Sequence, residues 1–292
     1  MEKPSFTLAD AAARTGIPED VIRRLWRALG FALPAPGEPA FTGQDLHALG
    51  LMHRVSGPDG SGLDVDTEVR LTRAVGQTMA RLADWQVSTL AGFEHTEALD
   101  ASAEQLLLYA WRRHLGEAVA RGAGVGDEDA ATVTTTVGFA DIVAFSALSN
   151  QLDDDRIGDL VEVFETRAGD VVSSLGGRVI KTLGDSVLFV SEDAVAGMDI
   201  AHGIIDVIGA DHRLPDVRLG LATGSVILRF GDVLGPPVNL AARLTAIARR
   251  NRVITDLATA QQLPVTRYES RTLTARPVRG FGVLEPIAVR RL

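Results

Sequence analysis

Residues 122–130 read GAGVGDEDA, and the chain follows a different periodicity on each side of them. Before this stretch apolar residues recur at helical spacing and β-branched runs are scarce. After it, β-rich runs such as TVTTTVGFADIVAF alternate with amphipathic ones. That single change of rule predicts an all-α domain over residues 1–121, a linker over 122–131 and an α+β domain over 132–292. The glycines of the linker fit neither G-x-G-x-x-G nor a Walker spacing, so they do not read as a phosphate loop.

Punctuation sets the helices of the first part. Thr7 with Asp10 three residues later reads as a capping box, Pro18 opens the next helix and Gly30 closes it. A third helix starts near Thr42. A break at GPDGSG (57–62) precedes one long amphipathic helix from Asp64 to about Leu90, with Val69, Val75, Met79, Leu82 and Trp85 among its apolar residues. A further helix, from about Ala101 to Ala120, carries Leu107, Leu108, Trp111 and Leu115. In the second part a strand ends near Asp141. Next come a helix through DDDRIGDLVEVFETRAGDVVSS, a hairpin through GRVIKTLGDSVLFVS, a helix through AVAGMDIAHGIIDVIG and a strand pair, VRLGLATGSVILRFGDVLG. This is the βαββαβ order of a ferredoxin-like domain. A helix from PPVNLAARLTAIARR and further strand at RVITDLATAQQL and LTARPVRGFGVLEPIAVRRL extend it.

Composition removes several functions. A formal charge of −9 argues against general affinity for nucleic acid or anionic lipid. No cysteine is present, which excludes disulfides, thiolate catalysis and cysteine-ligated zinc. The opening MEKPSFTLADAA lacks the basic start and apolar core of a signal peptide. No apolar run approaches the ~18 residues of a spanning helix. The expectation is a soluble, cytoplasmic protein.

Three constellations carry chemistry. Asp141 stands at a strand end in GFADIVAFSAL, and Asp185 follows Gly184 at the hairpin bend. Each alone reads equally as a turn or cap residue. If the hairpin pairs beside the first strand, the two carboxylates converge at one sheet edge, a recurring way to bind Mg2+ with substrate phosphates. The third constellation is FGDVLGPPVNLAARL. Asn239 and Arg243, four apart, share a helix face. Arg243 has small and apolar sequence neighbours, and a cation buried among such residues needs an anionic partner.

Taken in order, F-x-D-I-x-x-F, K-T-x-G-D and G-D-x-x-G-x-x-V-N-x-A-x-R resemble the catalytic domain of class III nucleotidyl cyclases from about Thr134 onward. The resemblance implies Asp141, Asp185 and the backbone carbonyl of Ile142 as ligands of two Mg2+ or Mn2+ ions. It makes Lys181 and Asp232 the adenine-selecting pair, Asn239 the residue orienting the ribose and Arg243 the one stabilising the transition-state phosphate. The substrate it implies is ATP, and the product 3′,5′-cyclic AMP. A lysine only donates and a carboxylate only accepts, which suits adenine N1 and its exocyclic amine. The family arrangement also implies a head-to-tail homodimer with two composite sites, in which Lys181 and Asp185 of one chain serve different sites.

Residues 6 to about 121, particularly TLADAAARTGIPEDVIRRLWRALG and RAVGQTMARLADWQ, resemble the helical regulatory domain ahead of some actinobacterial adenylate cyclases. Within them, His47, His53, His95 and His114 form a candidate pH-responsive set. The opening helices are also similar to a MerR-type helix-turn-helix with RRLWR facing DNA. The competing function is therefore a non-catalytic nucleotide sensor joined to a DNA-binding N-terminus, which the acidic balance disfavours.

Overall fold

The structure, a computed structural model, describes residues 3–54, 62–90, 97–120, 132–229 and 231–292. The chain divides into two compact units, Met1–Trp111 and Arg112–Leu292. The linker expected over 122–131, His95 and, Gly62 apart, the break at 57–62 lie outside the described residues.

The N-terminal unit opens with α1 (Leu8–Thr15), α2 (Glu19–Leu29) and α3 (Gly43–His53). Thr7 and Thr42 form reciprocal capping boxes with Asp10 and Asp45, satisfying backbone donors that a helix start leaves open. Ile17, Ile22, Leu25, Phe41 and Leu49 make the core, with Trp26 packed on Phe41. In the RRLWR segment Trp26 is therefore buried, Arg24 pairs with Asp66 and Arg23 lies 3.6 Å from Glu19. α4 (Val65–Thr89) starts at the Asp64 cap. Of its apolar residues Val69 enters the core, whereas Val75, Met79 and Trp85 are exposed. α5 (Glu97–Ala120), whose residues from Arg112 onward belong to the second unit, begins earlier than the sequence pattern suggests and exposes Leu108, Trp111 and Leu115. His53 Nδ1 lies 3.5 Å from the buried Glu68 carboxylate, and His114 is exposed.

The second unit runs β1 (Thr132–Ile142), α6 (Phe145–Ser149), α7 (Asp154–Ser174), β2 (Arg178–Thr182), β3 (Ser186–Ser191), α8 (Ala194–Gly209) and β4 (Val217–Arg229). It continues with β5 (Asp232–Leu234), α9 (Pro236–Ile247), β6 (Val253–Thr255), α10 (Leu257–Ala260) and β7 (Tyr268–Thr272). β8 (Arg276–Val278), β9 (Gly282–Leu284) and β10 (Ile287–Arg291) complete it. The main sheet has the order β2-β3-β1-β4-β6-β10-β7, with β5 paired to β4. Its first four strands, with α7 and α8, are the ferredoxin-like βαββαβ unit. α6 and β7 add to the elements expected from sequence, being short or weakly patterned. The strand expected through RVITDLATAQQL ends at Thr255, and Leu257–Ala260 form a short helix instead, because the Asp256 side chain caps it by accepting from the Thr259 N–H.

Strand alternation divides the core into two faces. Ala140, Ile142, Val187, Phe189, Leu219 and Leu221 pack against Phe164, Ala168 and Val172 of α7 and Met198, Ala201 and Ile204 of α8. Val137, Phe139, Leu188, Val190, Ala222 and Val226 face the other way, toward Ala241 of α9. α9 sits close because residue 220 has no side chain. A Cβ there would lie 2.3 Å from Thr245 N and 2.4 Å from Ala241 O. Among the described residues no helix is long and apolar enough to cross a membrane.

Candidate active site

Register explains the first carboxylate pair. In β1, Asp141 lies opposite Ser186 of β3 on one side and Arg218 of β4 on the other. Residues directly opposite share a face, here the α9 face. The hairpin bend then falls beside the end of β1. Gly184 takes φ +70°, open to glycine without strain, and the Ile142 N–H donates to the Asp185 carbonyl at 3.0 Å. The two aspartates therefore meet at the ends of central strands rather than along an outer edge of the sheet. Ile142 closes β1 with its side chain buried in the α7–α8 core.

The charge state of this pair follows from its surroundings. Burial pushes the Asp185 carboxyl above its ordinary range, Asp141's charge adds to that, and Arg218 pulls the other way. Asp141 accepts a 2.5 Å hydrogen bond from Ser186 Oγ at Oδ1 and one from Arg218 Nε (2.7 Å) at Oδ2, with Arg218 Nη2 in ion-pair contact 2.6 Å from Oδ2. Two like charges crowded together suit a divalent cation, which would relieve their repulsion. Among the described residues no three His, Asp or Glu side chains cluster into a full cage. A pair of carboxylates nevertheless fits an ion such as Mg2+, which keeps water and phosphate oxygens among its ligands.

Lys181 reaches its partner through a break in alternation. Val179 pairs with Phe189, but Lys181 pairs with Leu188, so the strand carries a bulge between them. Without it Lys181 would oppose Val187 on the α7–α8 face, inside an apolar core. The extra residue turns Lys181 to the α9 face, where Nζ donates to Asp232 Oδ2 at 2.5 Å. Burial opposes ionisation of Asp232. The Lys181 hydrogen bond, the Val233 N–H and the Lys181 charge outweigh it and hold the carboxyl below its ordinary range.

Asn239 and Arg243 stand one turn apart on α9, both outside the buried core. Among the described residues neither side chain makes a hydrogen bond or ion pair. This corrects the expectation for Arg243. Its neighbours Ala241 and Leu244 are buried against the sheet, but Arg243 projects from another side of the helix, so no buried partner is required.

Residues 128–286 match the family described as the adenylate and guanylate cyclase catalytic domain. The chain belongs to that family. An adenylate cyclase of Streptomyces coelicolor is 35% identical over 331 residues, covering 98% of this chain and 86% of its own length. An adenylate cyclase of Glutamicibacter nicotianae is 35% identical over 317 residues, covering 96% of this chain and 77% of its own. Both alignments take in the N-terminal helices as well as the cyclase domain. The solved catalytic core of a rhodopsin-guanylyl cyclase with converted specificity, in complex with ATPαS, superposes on 56% of this chain and 100% of its own. Its TM-score is 0.53 at 22% identity, a likeness of fold.

Two residues that bond Asp141 carry no sequence signal of their own. Ser186 directly follows Asp185, and Arg218 is the second residue of β4. Only pairing β1 residue by residue with both neighbours places each opposite Asp141.

Proposed function

We propose that this protein is an adenylate cyclase, converting ATP to 3′,5′-cyclic AMP and pyrophosphate at composite sites of a head-to-tail homodimer. The observation that carries the choice of substrate is the Lys181–Asp232 pair. A fixed donor lies beside a fixed acceptor, 2.5 Å apart, and the remaining protons of Lys181 and lone pairs of Asp232 stay available. Adenine presents an acceptor at N1 and a donor at its amine. Guanine presents the reverse and leaves members of the pair without a partner on the base.

In this reading the ribose 3′-hydroxyl attacks the α-phosphorus and pyrophosphate leaves. Asn239 orients the ribose. Arg243, unengaged within its own chain, places a two-pronged positive charge where phosphate charge builds up. Asp141, Asp185 and the Ile142 carbonyl hold the divalent ions, Mg2+ or Mn2+. When bound, these supply a lower pKa for the hydroxyl and charge neutralisation for the triphosphate. The position of Asn239 and Arg243 favours the dimer, because each is presented outward to a second copy. The N-terminal helices, shared along their length with the actinobacterial relatives, serve as the regulatory domain.

Incubating the purified protein with Mn2+ and either ATP or GTP tests the assignment. Cyclic AMP from ATP, with little cyclic GMP from GTP, is the expected outcome. Absence of any cyclic nucleotide would leave a binding-only role, and preferential cyclic GMP formation would overturn the base assignment.

A further inference from the structure

We propose that Arg218 is the resident counter-ion of Asp141, and that a divalent cation enters the carboxylate pair by exchanging with it. This rests on the reading of Asp141 and Asp185 as the metal carboxylates, and deepens it.

Lone pairs set the first limit. A carboxylate oxygen accepts two in-plane hydrogen bonds, so an ionised aspartate offers about four acceptor positions. Arg218 Nε donates to Oδ2 at 2.7 Å and Nη2 lies 2.6 Å from the same oxygen, so the edge of the guanidinium covers Oδ2. Ser186 Oγ takes one position on Oδ1 at 2.5 Å. One position on Oδ1 remains. A cation drawing on both oxygens of Asp141 must therefore displace the guanidinium from Oδ2, whereas Ser186 leaves room beside itself.

Charge points the same way. Arg218 is the only cation bonded to Asp141 among the described residues, and it also acts on Asp185. A divalent ion added beside an undisturbed arginine would meet a like charge within a few ångströms. The guanidinium also has somewhere to stay. Its Nη1 donates to the Ala246 carbonyl at 3.3 Å, in the last turn of α9, so it keeps an anchor on that helix after releasing Asp141. Arg218 is thus a positioning residue that sets how readily the cation binds.

The sign of one measurement separates this from ordinary support. An arginine that merely orients Asp141 for the metal weakens metal binding when removed, by about tenfold or more. A competing arginine strengthens it when removed. Mn2+ binding to the full chain, without nucleotide, is read from the loss of the free Mn2+ electron paramagnetic resonance signal. The proteins compared are wild type, Arg218→Gln, Arg218→Lys and Asp141→Asn, each first checked for folding by circular dichroism. The expected result is a Kd about tenfold tighter for Arg218→Gln, with Arg218→Lys between it and wild type, because an ammonium keeps the charge but cannot cover Oδ2 with the two-nitrogen edge of a guanidinium. An unchanged or weaker Kd in Arg218→Gln, with wild type binding and Asp141→Asn not, overturns the exchange alone. Wild type failing to bind, or Asp141→Asn binding as well as wild type, overturns the metal reading beneath it. If Arg218→Gln does not fold, Arg218→Lys decides: tighter binding supports exchange, and equal or weaker binding rejects it.

Discussion

Lys181 and Asp232 are 51 residues apart in sequence and joined by a 2.5 Å charged hydrogen bond, while Asp185, four residues from Lys181, takes part in a different cluster. The close spacing of Lys181 and Asp185 invites reading them as a local ion pair. The hairpin separates them instead. Lys181 is turned by its bulge toward β5, and Asp185 sits at the bend beside β1.

The first prediction concerns base choice. Lys181→Ala and Asp232→Ala each lower kcat/KM for ATP by about 10- to 100-fold, the cost of a lost charge-assisted hydrogen bond. The preference for ATP over GTP contracts in both. Because the two side chains bond each other and face one ring, the double variant costs less than the sum of the singles. Strict additivity, or selectivity retained in either single variant, would count against a shared role at the base.

The second prediction concerns assembly. Lys181→Ala and Asp185→Ala chains are each strongly impaired alone, and mixing them restores activity. Random pairing makes about half the dimers mixed, each with one intact site, so recovery reaches about a quarter of the wild-type value. A mixture as impaired as its components would place both residues in one site built from one chain.

How much of this was legible depended on whether local pattern or register decided it. The cap at Thr7, the helix start near Thr42 and the hairpin through Gly184 follow from spacing and turn chemistry, and the sequence shows them. Lys181 does not follow, because strict alternation would send it into the α7–α8 core; only the bulge after Val179 brings it to Asp232. Arg218 is silent in the sequence because its role is set by a partner 77 residues earlier in the chain. The apolar residues around Arg243 give a misleading signal, since a helix has an outer side that neighbours in sequence do not describe.

The third prediction links pH to stability. Asp185 is raised above the ordinary carboxylate pKa by burial first and by Asp141 second. A carboxyl raised in the folded state costs stability when ionised. That cost is fully present above the folded pKa and is relieved as the pH falls toward the unfolded value of about 3.9. Metal-free Asp185→Asn therefore melts at a higher temperature than wild type at pH 7, and the gain shrinks as the pH approaches about 4. Thermal melts across that range in the presence of a chelator check it, and a gain independent of pH would show that the ionised carboxylate is not the cause.

The fourth prediction tests the seat of α9. Gly220 lets the backbone of α9 approach β4, and a methyl group there meets Thr245 N and Ala241 O, which belong to the helix backbone and have no rotamer to change. Gly220→Ala thus moves the helix rather than a side chain, at about 3 kcal/mol. Asn239 and Arg243 ride on the same helix, so the shift carries them away from the substrate as well. At a temperature where the variant is still folded by circular dichroism, kcat falls by about 100-fold, because an error of about 1 Å in a positioning group has that effect. Mn2+ affinity changes less than turnover, because the carboxylates lie on β1 and the hairpin rather than on α9. A variant that loses metal binding and turnover in parallel would instead indicate general collapse of the cyclase domain.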